Sequence, residues 1–204
     1  MRLLLQIARR RRFSRNEVVF HRDDPGDSLH LIQKGRFAVR IMTPLGDTAT
    51  IAVRGPGDSF GEMTLADDGA RRSATVAALD EAETHAIYRA EFDQLRSRHP
   101  QIDRFVIRFL TSEVRMLNER LLEALYVSVE RRVLRRVVEL AQLYPESGGT
   151  TPIPLTQEVL AELAGTSRAT VNKVLNEEQE RGTVALERGR TVVLEVGALA
   201  RRAR

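Results

Sequence analysis

The chain has 204 residues, 42% of them hydrophobic, and a formal net charge of +4, enough for one large domain or two small ones. It contains no cysteine, which excludes disulfides, thiol redox sensing, cysteine catalysis and iron–sulfur ligation, and its four histidines (His21, His30, His85 and His99) show no metal-ligand spacing. The small positive excess is carried almost wholly by arginine, since Lys34 and Lys173 are the two lysines; it permits nucleic-acid binding without arguing for it.

The N-terminal MRLLLQIARRRRF is a short apolar stretch followed by arginines. It is too short for a secretion signal, and no apolar run in the chain is long enough to span a bilayer, so a cytoplasmic protein without a membrane partner is expected. Residues 13–90 read as all-β. FSRNEVVFHR predicts a strand, DDPGDS a turn and LHLIQKG a second strand. RFAVRIM alternates, with Phe37, Val39 and Ile41 on one face. TPLGD is a hairpin turn, TATIAVR the return strand and RGPGD a further turn; SATVAAL and THAIYR are later strands, Arg72 opening the first. Short strands punctuated about every ten residues predict a small barrel or sandwich.

From residue 90 the pattern becomes helical. AEFDQLRSRH predicts a short helix ended by Pro100, and 101–127 a long one free of Gly and Pro. Ile107, Leu110, Val114, Leu117, Leu121 and Ala124 form a heptad seam, while Phe105, Val106, Phe109, Met116 and Leu122 face elsewhere. Two apolar faces on one helix imply two partners, the β unit and a second copy of the chain, so a homodimer through the 101–127 helix is expected. Residues 129–143 continue as helix in a new register, and YPESGGTTPIP reads as a linker. This places the domains at 1–128 and 129–204.

The stretch LTQEVLAELAGTSRATVNKVLNEE predicts two short helices around a glycine turn. Thr156 caps the first, Gly165 ends it and Ser167 caps the second. That is helix-turn-helix geometry, and the second helix offers Arg168, Thr170, Asn172 and Lys173 to phosphates and base edges. The hairpin VALERGRTVVLEV turns at Arg188-Gly189-Arg190, whose two arginines suit a wing on the phosphate backbone.

The stretch FGEMTLADDGARRSATV raises a different chemistry. Arg72, the Ser73 hydroxyl and free backbone N–H groups beside the small residues Ala74 and Thr75 together suit an anion, best a phosphate. Gly61 allows close backbone approach, and Glu62 can accept from a sugar hydroxyl. A phosphate and a sugar on one molecule describe a nucleotide. The competing reading is a structural Glu62–Arg72 ion pair closing a surface loop.

Nearly the whole chain resembles the cyclic-AMP receptor family of bacterial transcription regulators. GDSFGEM, RRSATV, the long helix and LTQEVLAELAGTSRATVNKVL carry the resemblance, with Gly35, Gly46 and Gly57 matching the family's turn glycines. It implies an α+β fold with an N-terminal cyclic-nucleotide-binding β-roll, a long dimerisation helix and a C-terminal winged helix-turn-helix. It implies that Gly61 and Glu62 hold the ribose, with Met63 beside them, and that Arg72, Ser73 and the Ala74 N–H bind the cyclic phosphate. Leu117 and Asn118 fall on the two adenine-touching positions, at the dimer seam. Arg168, Thr170 and Lys173 match DNA-contacting positions and Ser167 a phosphate contact; Thr156, Ala169, Arg188 and Arg190 complete the expected DNA-binding set.

Three positions depart from the family pattern. Leu117 stands where the best-known member has a hydroxyl residue, Ala169 where many have a glutamate, and Asp23 where a turn glycine is common. The expected effector is cyclic AMP, with cyclic GMP or no ligand as alternatives. The expected partners are double-stranded DNA, a second copy and RNA polymerase. Two further functions compete: a regulator of the same fold that acts without ligand, and an enzyme processing a phosphodiester with Glu62 and Arg72. The latter lacks any nucleophile or general base beside them, so no enzyme is expected.

Overall fold

A computed structural model describes residues 2–42, 46, 48–65 and 69–204. The chain divides into two compact units at Met116/Leu117, inside a continuous helix.

The first unit holds eight strands among its described residues: β1 (Arg9–Phe13), β2 (Val18–Phe20), β3 (Ser28–Lys34), β4 (Phe37–Met42), β5 (Thr48–Arg54), β6 (Ser59–Phe60), β7 (Thr75–Ala78) and β8 (Ala82–Tyr88). They form two antiparallel four-stranded sheets, β1-β8-β3-β6 and β2-β7-β4-β5. Phe13, Ile32 and Phe60 from the first sheet and Phe37 and Val76 from the second fill one core between them. Inward alternation along short strands is what a two-sheet fold demands.

Here the structure departs from the sequence expectation in several places. The arginine run, to which the sequence reading gave no element, is an edge strand. β1 pairs with β8 from Arg9↔Ala86 to Phe13↔Ala82, with Arg9 paired to Glu91, Arg10 and Arg12 to Glu83, and its end anchored by buried Phe13. In FSRNEVVFHR only Val18–Phe20 is strand, because Asn16 turns the chain at φ 66°. The apolar N-terminus is α1 (Arg2–Ile7), and Leu4 fills a second cluster with Leu29, Ile87, Phe92 and Ile102. Those last two belong to α2 (Arg89–Arg98) and α3 (Gln101–Tyr126). Of the TPLGD turn, residues 43–45 and 47 lie outside the described residues, but β4 and β5 pair as the hairpin requires. Asp23 adopts φ 67°, the left-handed conformation expected of a residue in a glycine's place.

Along α3, Ile107, Val114, Leu117 and Leu121 are all more than half exposed, in the predicted stripe. Leu110 leaves that stripe and lines an apolar cavity with Leu29, Leu65, Phe92, Val106 and Phe109. Leu122, from the second predicted set, is exposed, and the Phe105 side chain lies outside the described residues.

The second unit continues through α4 (Val129–Leu143), β9 (Thr151–Ile153), α5 (Gln157–Ala164), α6 (Arg168–Glu180), β10 (Val184–Glu187), β11 (Arg190–Val193) and α7 (Val196–Arg202). Val133, Val137, Leu160, Val171, Leu175 and Leu199 are buried at its centre. The expected caps form: Thr156 accepts from Val159 N–H, Ser167 from Thr170 N–H, and Gly165 ends α5 at φ 61°. The linker expectation fails at its end. Thr151-Pro152-Ile153 pairs with β11 as an edge strand, where a proline's missing donor costs nothing on the open side. No helix among the described residues is long and apolar enough to cross a membrane.

Candidate functional site

Six predicted residues meet in the first unit. Gly61, Glu62, Met63, Arg72, Ser73 and Ala74 line one cavity of about 80 Å³, completed by Phe20, Val39, Arg54, Ser59, Phe60, Thr64 and Val76. Gly61 follows β6 at φ 85° and starts the chain into a 3₁₀ turn over Glu62–Leu65. A Cβ at Gly61 would stand 2.6 Å from Arg72 Nη1 and 2.7 Å from the Ser28 carbonyl oxygen. Gly61→Ala is therefore expected to destabilise the fold by roughly 2–4 kcal/mol, from a left-handed Cβ plus overpacking. Urea unfolding measures that loss.

Arg72 does not open β7, as the alternation suggested. It lies in the irregular turn just before it, held by its own N–H to Asp24 O (2.9 Å) and by Asp23 N–H to its carbonyl (2.8 Å). The side chain is 4% exposed. Nη1 donates to Ser28 O (2.7 Å), Nη2 to Ser28 Oγ (2.9 Å) and to Asp27 Oδ1 (3.1 Å), and the guanidinium lies 4.0 Å from the Phe20 ring centre. Its Nε has no hydrogen-bond partner and is the one buried side-chain polar atom so placed among the described residues. A buried donor without an acceptor is costly, and an anion entering this cavity offers one.

The Glu62–Arg72 ion pair does not form, since Arg72 pairs with Asp27. Burial raises the Glu62 pKa, with Glu113 adding to the rise and its own backbone N–H, Arg54 and Arg72 pulling against it. Arg54 is a site residue that sequence reading missed. It ends β5 on the cavity wall, and its Nη2 donates to Glu113 Oε2 of α3 at 2.7 Å. A charged residue closing an otherwise apolar alternating strand was the available signal. Ser73 is exposed, and its hydroxyl has no hydrogen-bond partner among the described residues. Two guanidiniums, a hydroxyl and a glycine cradle fit an anionic ring, and a carboxylate beside them fits a sugar hydroxyl. Leu117 and Asn118 do not line this cavity; both are exposed on α3 at the start of the second unit.

In the second unit, Arg168, Ala169 and Lys173 are exposed on the first turns of α6, while Thr170 is half-buried with its hydroxyl 3.0 Å from Ser167 Oγ. Arg168, Lys173 and Arg188 make no ion pair among the described residues. The acids Glu177, Glu178 and Glu180 sit at the far end of α6, so the helix presents cations and its positive dipole end together. The hairpin turn is Arg188–Gly189, with Gly189 at φ 75°. Arg190 is not at the tip but opens β11, where Glu187 neutralises it. Thr156, Arg168 and Arg190 line a groove of about 500 Å³ between the helix pair and the hairpin. Asn172 is held within it, donating to Gln157 Oε1 (3.1 Å) and accepting from Asn176 (2.9 Å).

Residues 10–99 match the family model of the cyclic nucleotide-binding domain, and residues 131–202 that of the Crp-like helix-turn-helix domain. The CRP-like cAMP-activated global transcriptional regulator of Mycobacterium tuberculosis is 34% identical over 198 residues, which cover 94% of this chain and 87% of the relative. The chain belongs to the cyclic-AMP receptor family of transcription regulators. Another of its relatives in that family, the cyclic AMP receptor protein of Thermus thermophilus, is 33% identical, covering 97% of this chain and 89% of the relative. The solved c-di-GMP responsive global regulator CLP of Xanthomonas campestris shares the fold, with a TM-score of 0.75 at 23% identity over 94% of this chain and 96% of that one. The regulator thus joins a cyclic-nucleotide-binding β domain and a DNA-binding helix-turn-helix domain through a long helix.

Proposed function

We propose that the regulator is a homodimer whose operator affinity is controlled by a cyclic nucleotide, cyclic AMP first, bound in the β-roll cavity. The observation that carries this reading is Arg72, buried with its Nε–H unanswered beside Gly61, Glu62 and Ser73. Arg72, Ser73 and the Ala74 N–H bind the cyclic phosphate. Glu62 accepts from the ribose 2′-hydroxyl, Met63 flanks the sugar, and Leu117 and Asn118 meet the base. About 80 Å³ is less than the ~300–1,000 Å³ of a typical ligand pocket, so the cavity takes the cyclic phosphate at its base, and the rest of the nucleotide extends past it. Because burial raises the Glu62 pKa, nucleotide affinity should decline on mild acidification before ordinary carboxylates protonate.

The exposed stripe of Ile107, Val114, Leu117 and Leu121 supports dimerisation, since a contiguous apolar patch of this kind marks a protein contact. The functional division falls at 128/129, where Ser128 caps α4. Ser167, Arg168, Ala169, Thr170 and Lys173 face the operator, with Thr156 at the start of α5 and Arg188 on the hairpin. The protein works on double-stranded DNA in the cytoplasm, with RNA polymerase as a partner and without enzymatic turnover of its ligand.

Calorimetric titration of refolded, nucleotide-free protein with cyclic AMP, cyclic GMP and cyclic di-GMP tests the effector. Repeating it with DNA selected from a random pool tests the control. Cyclic AMP must raise DNA affinity by the same factor as DNA raises cyclic AMP affinity. Tight DNA binding by the stripped protein, with no response to any of the three, would establish the ligand-independent reading instead.

The hairpin makes its own prediction. Arg188→Ala should weaken binding to all DNA sequences alike and lower the salt slope by about one, whereas Arg190→Ala should do less because Glu187 already neutralises that charge. Anisotropy titrations at several salt concentrations on specific and random duplexes separate the two.

A further inference from the structure

One arginine of α4 joins segments far apart in the chain. Arg132 donates through Nη1 to the Val127 carbonyl (3.1 Å), through Nε to the Ala164 carbonyl (3.1 Å) and through Nη2 to the Gly165 carbonyl (3.3 Å). Val127 is in the two-residue joint between α3 and α4. Ala164 and Gly165 are the end of α5 and the turn that leads into α6.

Helix C-termini leave carbonyls without partners, and a cation there is favoured. Capping α5 would account for two of the three bonds. It does not account for the third, which reaches back across α4 to the joint. A guanidinium spreads its donors over three nitrogens in a plane and so reaches carbonyls of two separate segments, whereas an ammonium offers them all from one nitrogen. A second tie spans the same joint: Glu123 of α3 accepts from Arg135 (2.8 Å) and from Arg136 of α4, the latter only 5% exposed. The joint is thus tied to α4 by the Glu123 pairs as well, and Arg132 bonds both to it and to the turn before α6.

We propose that Arg132 is a positioning residue that makes the α3–α4 joint and the helix-turn-helix turn one body, so that α6 follows α3. Its role in control rests on the proposed nucleotide response; its role in joining the two segments does not. The test is full-chain Arg132→Met, which keeps the stem and removes the donors. Amide hydrogen exchange is read at Val127, bonded to Glu123 O, and at Gly165 and Thr166, bonded to Glu162 O and Ala161 O. DNA affinity is measured with and without saturating cyclic AMP.

The expected result is that both segments exchange roughly tenfold faster together. The ratio of the two DNA affinities should fall by about fivefold or more towards one, with cyclic AMP affinity in the absence of DNA unchanged. Retention of the full ratio, or loosening confined to Gly165 and Thr166, would overturn the proposal and leave a local cap. If the native protein shows no nucleotide response, the functional reading falls, and joint or separate loosening still decides for or against Arg132. Should Arg132→Met not fold, Arg132→Lys keeps the charge without the fork and is expected to show the same joint loosening.

Discussion

Replacing Arg72 with methionine is expected to weaken cyclic AMP binding by roughly a hundredfold or more. Hydrogen bonds to charged groups are worth about 1.5–3 kcal/mol each, so two of them on a phosphate supply about 3–6 kcal/mol, or roughly two to four decades in Kd. Against this stands the engagement of Arg72 with Asp27 and Ser28. The Asp27 side chain is 68% exposed, and exposed ion pairs contribute only about 0–1 kcal/mol, so releasing it subtracts little. The Ser28 contacts are buried, and losing them should cost the fold about 1–3 kcal/mol. Methionine keeps an unbranched apolar stem in the buried site but loses the guanidinium that lies over Phe20. Circular dichroism and DNA binding establish that the variant is folded, and calorimetry then reads its affinity. Arg72→Lys keeps the charge but not the fork and should fall between. A folded Arg72→Met variant that binds cyclic AMP as the native protein does would reduce Arg72 to a clasp for Asp27 and Ser28.

What could be read from the sequence divides by the range of the interactions involved. The caps of the helix-turn-helix were legible to the residue because their signals are local: Thr156, Gly165 and Ser167 act within four residues of their own positions. The assembly of Gly61, Glu62 and Arg72 was legible as chemistry, since those residue types suit a nucleotide wherever they meet. Their partners were not. Arg72 bonds to Ser28, 44 residues away, and nothing in RRSATV distinguishes that from pairing with nearby Glu62. β1 was hidden for the same reason: a run of four arginines carries no strand pattern until Glu83 and Glu91 are brought beside it by β8 and α2. β9 was hidden by Pro152, which reads as a linker signal unless the strand is known to lie at an edge. In Arg190, turn chemistry pointed to the tip while hairpin register moved it one residue into the strand, opposite Glu187.

Acidification should destabilise the β-roll through His30, by about 1.4 kcal/mol per pH unit within its range. The ring is 3% exposed and stacks on Phe60 at 4.9 Å and 9°. Burial first, then the charges of Arg72 and Arg11, lower its pKa from 6.5 to about 3, with Asp27 opposing. The hydrogen-bond network assigns its proton. The Ser28 hydroxyl donates to Asp27 and accepts from Arg72, so His30 Nε2–H donates to Ser28 Oγ while Nδ1 accepts from Thr84. With the folded pKa below the unfolded one, the unfolded chain takes up the proton first as pH falls. The stabilisation is therefore complete above about pH 6.5, is lost progressively towards pH 3, and totals about 5 kcal/mol, which is comparable to the whole stability of a marginal domain. Glu62 and Glu139, whose pKa values burial raises, act in the opposite sense and blunt the measured slope. The comparison that isolates His30 is His30→Phe, which keeps the stack and removes the titration, followed by urea unfolding between about pH 5 and 6.5, where ordinary carboxylates stay ionised. The variant should start less stable, because Ser28 and Thr84 lose a partner, and its stability should vary less with pH. Parallel slopes for the two proteins would mean that acid acts elsewhere. A flattened slope would show that the residue anchoring Ser28, and through it Arg72, stabilises the β-roll by staying neutral.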